Sequence, residues 1–152
     1  SQESTARPFS VAVSWAPGIT TSVTRGGERT VAERSGNTTR SDRLSTSAAA
    51  SFHFKPPQEF IPLKSDVRTS LRYQRSLNAT CVERAGAPGC TRIADSRRSE
   101  YNLTMDTDMP PSVNAGFSVG YVLSDDRHIN RKFSQFSLTA SVRVFFSAGE
   151  IR

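Results

Sequence analysis

Apolar and polar residues alternate over six runs of this chain, several of them longer than the strands of an ordinary domain core. Phe9, Val11, Val13 and Trp15 open the first run, and their parity continues through Ile19, Thr21 and Val23. The later runs cover Leu44 to Phe54, Val67 to Tyr73, Tyr101 to Met105, Val113 to Leu123 and Phe136 to Phe146, with only Val122 and Phe145 out of phase. Residues two apart on a strand share a face, so each run presents one apolar and one polar surface. Recurrence at i, i+3 and i+4 is missing, and 22 Ser and 14 Thr among 152 residues exclude a Leu-rich helical bundle. The expected fold class is all-β, an antiparallel up-and-down meander of about six long strands.

Half-buried strands also serve soluble sandwiches, so length and connections must separate a sandwich from a membrane sheet. No stretch approaches the roughly 18 to 20 apolar residues of a spanning helix, which leaves strands as the only way across a bilayer. Short proline-bearing connections (Arg7-Pro8, Lys55 to Pro62, Asp108 to Ser112) fall on one side of the runs. Long polar ones (Gly26 to Arg40, Asn78 to Arg98, Ser124 to Arg131) fall on the other. That asymmetry is typical of outer-membrane barrels, with the long loops outside the cell. Six strands then put both chain ends on the short-turn, periplasmic rim. Two aromatic girdles can be drawn: Phe9, Phe52, Phe54, Phe60, Phe145 and Phe146 near the proline rim, and Trp15, Tyr73, Tyr101, Tyr121 and Phe136 above them.

Six strands cannot close in lipid, because small membrane barrels have eight and bare edges are costly there. Gly26-Gly27 could split the segment from Thr20 to Arg34, but its arms are too short and too polar to span. The expected organisation is a flexible lead over 1–7, a section of a larger barrel over 8–146, and a tail over 147–152. The opening residues lack a basic and apolar leader pattern, so a mature product or a piece of something longer is expected. A secreted β-sandwich binding module and a small porin-like barrel are the alternatives.

The net charge of +6 arises from 17 Arg and 3 Lys against 14 acids, dispersed among Ser and Thr with no nucleic-acid-binding signature, so nucleic acid is not an expected partner. Arg68, Arg72 and Arg143 lie on the polar parity of their runs and are expected to face the lumen, since a charge at the lipid midplane costs about 2–4 kcal/mol. Arg25, Arg29, Arg34, Arg40, Arg97 and Arg98, expected on the long loops, are candidates for lipopolysaccharide phosphates. Cys81 and Cys90 flank a turn-rich octet and are expected to form a hairpin disulfide in an oxidising compartment. His53 and His128 stand alone, and the Asp106/Asp108 and Asp125/Asp126 pairs suit turns better than cation sites. With no phosphate loop, nucleophile elbow or zinc-protease motif, no enzymatic activity, cofactor or metal is expected.

The run from Asp106 to Gly116, the following Tyr121 to His128, and the ending Arg131 to Phe146 resemble the C-terminal region of SprA-like cell-surface proteins. Those are giant single-chain outer-membrane barrels, the translocon of the type 9 secretion system, which also support gliding motility. The resemblance implies a protein-conducting pore in the outer membrane of a two-membrane bacterium. Its implied partners are membrane lipid and lipopolysaccharide, the other strands of the parent barrel, secreted polypeptide cargo, and plug or gating proteins. Here Phe146 is followed by six further residues, whereas many such barrels end on an aromatic residue.

Overall fold

Seven strands form where the alternation suggests six. The structure is a computed structural model and describes residues 2–55, 66–87, 89–109 and 113–144. The strands are β1 (Gln2–Ala16), β2 (Ile19–Arg34), β3 (Asn37–Phe54), β4 (Val67–Glu83), β5 (Cys90–Met109), β6 (Val113–Asp126) and β7 (Arg131–Val144). They make one antiparallel sheet in strict sequence order. The expected proline connections at 56–62 and 110–111, the girdle residues Phe60, Phe145 and Phe146, and the tail over 147–152 lie outside the described residues.

The additional strand comes from splitting the first run at Pro17-Gly18. Gly18 takes φ +84°, a conformation glycine adopts without steric cost, and Ala16 pairs with Ile19 across the turn. An ordinary two-residue turn would reverse the odd-numbered parity between the arms. The register instead shifts between Ser14 and Ala16, so Trp15 is the extra residue of a bulge and Val13 pairs with Thr21. The bulge keeps odd residues on one face in both arms, which is why a single uninterrupted run shows in the sequence. Trp15 also donates its indole N–H to Thr21 Oγ1 at 2.8 Å.

The expected long loops are mostly strand. The stretch around Gly26 to Arg40 is the β2–β3 hairpin with only Ser35-Gly36 between its strands, the cysteine loop shrinks to residues 84–89, and the last shrinks to 127–130. The connection between β3 and β4, on the opposite rim, runs through residues outside the described ones, and the disulfide rim carries short turns where long loops are expected. Polar residues on both faces hid these extensions from a search for alternation, yet a strand wetted on both sides needs only its backbone ladder. Residues 2–7, expected as a flexible lead, are for the same reason paired strand against Gly27 to Ala32. An odd number of strands places Gln2 on the disulfide rim and Val144 on the proline rim, which corrects the expectation that both ends share one rim.

No second layer packs on this sheet among the described residues. Of the large apolar side chains left exposed, all but Ile93, Ile129 and Phe133 lie on one face, and Trp15 and Val142 are each 69% accessible. The sheet is also open, with β1 touching only β2 and β7 only β6.

Candidate functional site

Directly paired residues on antiparallel strands point to the same side, so the registers assign every side chain to a face. The apolar face carries Phe9, Val11 and Val13 of β1, Phe52 and Phe54 of β3, Leu71 and Tyr73 of β4, and their partners across the sheet. Tyr73, Tyr101, Tyr121 and Phe136 are consecutive partners over four strands and form an aromatic row, in which the Tyr73 and Tyr101 rings lie 5.0 Å apart. Phe9 stands just above the level of this row, whereas Trp15 sits beside the Pro17-Gly18 turn. The two therefore exchange girdles relative to expectation, because β1 runs down to that turn and not up from it.

Between the aromatic row and the proline rim, the apolar face carries no Asp, Glu, Lys or Arg on any strand among the described residues. On β7 this band covers residues 136–144, about 27 Å of strand and about 20 Å of height at a barrel strand's tilt. Directly above it the same face turns ionic. The first charge beyond the level of the row stands two residues up on β2 and β4, four on β1, β5, β6 and β7, and six on β3: Arg7, Arg25, Asp42, Arg75, Arg97, Asp125 and Lys132 in strand order. Arg29 pairs with Asp42 at 2.6 Å, and that hydrogen bond, followed by the carboxylate's charge, raises the guanidinium pKa further above its ordinary value. Arg92 holds Asp95 at 2.8 Å. Arg7, Arg25, Arg40, Arg75 and Arg97 make no ion pair among the described residues.

The six arginines proposed for phosphate thus divide. Arg25, Arg29, Arg40 and Arg97 lie on the apolar side in this ionic collar, whereas Arg34 and Arg98 lie on the opposite face, Arg98 at 3.4 Å from Glu100. All six are on strands and none on a loop. Arg7, Arg75 and Lys132 belong to the collar and were missed. Arg75 continues the parity of Leu71 and Tyr73, but it lies beyond the last apolar residue of its run and so carries no alternation signal of its own.

Arg68, Arg72 and Arg143 all fall on the polar face. Arg68 stands between His53 and Asp106, Arg72 between Ala49 and Asn102, and Arg143 beside Asn114. Arg143 is three strands from the other two, about 14 Å at normal strand spacing, so the three line a wall and do not converge. Their surroundings are hydroxyls and amides: Ser70 bonds Thr104, Ser10 bonds Thr24, and Ser118 reaches Asn102. Gly116 makes room there, since a Cβ on it would meet Asp106 Oδ1 at 2.9 Å and Ser141 Oγ at 3.0 Å. An open groove of about 860 Å³ near the proline rim includes His53, Lys55, Asp66, Arg68 and Asp106, with Asp66 3.8 Å from both Lys55 Nζ and His53 Nε2. On the other rim Cys81 and Cys90 are disulfide-bonded, their Cα atoms 5.5 Å apart, tying β4 to β5.

No protein-family model matches the chain, and no characterised protein matches it in sequence. Among solved structures, the unliganded ferric citrate transporter FecA is similar over 97% of this chain at 10% identity, with a TM-score of 0.43. The translocator domain of the autotransporter NalP from Neisseria meningitidis is similar over 98% at 12% identity, with a TM-score of 0.36. The chain spans 26% of the first and 56% of the second.

Proposed function

We propose that this chain is a section of an outer-membrane β-barrel wall, part of a wide protein-conducting pore of the SprA-like type, which acts by conduction and not by catalysis. The supporting observation is the uncharged apolar band that crosses all seven strands, backed by a polar face. In water so much apolar area on an uncovered single sheet is unfavourable by roughly 25 cal/mol per Å². Against acyl chains the same surface is at home, and the ladder satisfies the backbone groups between neighbouring strands. The opposite face then lines an aqueous lumen. Its hydroxyls offer hydrogen bonds without strong adhesion, and Arg68, Arg72 and Arg143 bias it toward anionic or neutral polypeptide segments. The protein-conducting and type 9 assignment is supported by the sequence resemblance over 106–146.

Photo-crosslinking in intact cells tests both parts. A photoreactive residue at position 72 is expected to capture secreted polypeptide while export is active, and one at position 119 to capture lipid. Capture of lipid at both positions, or recovery of the protein as a water-soluble monomer, would defeat the reading.

A further inference from the structure

We infer that the collar above the apolar band is a binding surface for the phosphates of membrane lipid headgroups. The inference rests on the membrane reading but adds a ligand, a face and a rim to it. Arg7, Arg25, Arg75 and Arg97 share the side of the sheet that would meet acyl chains, and each stands two or four residues above the last band residue of its strand. That is the level at which headgroups lie. None of the four has an acidic partner among the described residues, although acids are nearby: Asp42 is taken by Arg29 and Asp95 by Arg92. Unpaired guanidinium groups at a membrane surface are suited to phosphate, whose oxygens accept two parallel N–H bonds from one arginine.

The spacing fits shared ligands. Arg7 and Arg25 lie diagonally across β1 and β2, and Arg75 and Arg97 diagonally across β4 and β5, in each case about 7–8 Å between backbones. Each pair can close on one phosphate from two sides. Between the pairs the same face carries the small Gly27 and Ala79 beside Leu44 and Leu77, in an open depression of about 920 Å³ that also includes Arg7, Arg29 and Arg97. A headgroup with more than one phosphate can rest there with sugar over the small residues and phosphates on the flanking arginines. The proline rim offers no such arrangement, since its apolar face ends among the described residues in Trp15, Phe54, Val67 and Val144. The collar therefore also sets orientation: the disulfide rim faces the leaflet richer in lipid phosphate.

The test uses protein extracted from membranes into neutral detergent and titrated with diphosphoryl lipid A. Each arginine near an anionic surface contributes about fivefold in affinity, so the variant with Arg7, Arg25, Arg75 and Arg97 all changed to Gln is expected to bind about a hundredfold or more weaker. Arg98→Gln, one residue from Arg97 and on the opposite face, is expected to bind as the wild type does. Monophosphoryl lipid A is expected to bind less tightly, and millimolar inorganic phosphate to compete poorly because it lacks the acyl anchor. Wild-type affinity in the fourfold variant, an equal loss in the opposite-face variant, or full displacement by inorganic phosphate each overturns the collar while leaving the membrane reading intact. Absence of the protein from the membrane fraction overturns both.

Discussion

Phe117 occupies the middle of the band, with Met105 and Ala140 as its cross-strand partners, four residues above Val113 and four below Tyr121. At about 3.4 Å per residue and a barrel tilt near 40°, these separations put its side chain about 10 Å from each of the band's two limits. An arginine there cannot reach either interface without distortion, and its cost is expected at the midplane value of about 2–4 kcal/mol. Ser118, one residue away, projects to the other face between Thr104 and Thr139, where an arginine stays in water. Since 1.4 kcal/mol is a factor of ten, Phe117→Arg is expected to lower the folded-to-unfolded ratio in phosphatidylcholine bilayers by about thirty- to several-hundredfold, and Ser118→Arg by less than fivefold. Urea titration followed by fluorescence of the single tryptophan, Trp15 on the apolar face, gives both values from one protocol. Equal losses for the two variants would refute the assignment of faces, as would a Trp15 spectrum that is unchanged between lipid and water.

Three further outcomes follow from the geometry. Replacing Cys81 and Cys90 by Ser removes a cross-link spanning a sequence separation of 9 and is expected to cost about 2–3 kcal/mol, confined to the β4–β5 tip and visible as faster amide exchange at 80–92. Gly18→Ala is expected to destabilise by about 1–2 kcal/mol in the same urea assay, because φ is +84° and the new methyl would meet the His53 carbonyl at 3.0 Å and its ring Nδ1 at 2.7 Å. A neutral result there would remove the Pro17-Gly18 turn. Asp42→Asn is expected to leave the urea midpoint unchanged, since both it and its partner Arg29 are solvent-exposed, but to strengthen lipid A binding by freeing that guanidinium for phosphate.

The strands were legible where one face is apolar, and illegible where neither is. Leu44 to Phe54 and Val113 to Leu123 declared themselves through parity, but β2 beyond Val23 and β5 before Tyr101 read as loops because Ser, Thr, Asp and Arg fill both sides. Periodicity records a difference between environments, and above the band there is none. The same limit explains the collar. Arg25, Arg29, Arg40 and Arg97 stood out as arginines, yet only pairing to Phe9, Asp42, Cys81 and Leu77 shows which surface they join and separates them from Arg34 and Arg98. Arg68 and Arg72 were easier, since they interrupt an alternation that Val67, Leu71 and Tyr73 make plain. The Pro17-Gly18 turn stayed hidden for the opposite reason: a bulge at Trp15 imitated an uninterrupted strand.

The odd strand count has a vectorial consequence. β1 and β7 both travel from the disulfide rim to the proline rim, so the two open edges of the sheet point the same way. Rolling this sheet onto itself would seam β1 to β7 in parallel, and so would joining copies around an axis normal to the membrane. Turning a copy over to obtain antiparallel seams would put arginine collars on both membrane surfaces. A cylinder that keeps every seam antiparallel, the even-numbered rule of bacterial single-chain barrels, must therefore add an odd number of strands between β7 and β1. One strand would complete eight, and nine would complete sixteen. Whatever supplies them enters at the proline rim beside β7, leaves at the disulfide rim beside β1, and carries its own apolar residues in phase with Val11 and Leu138.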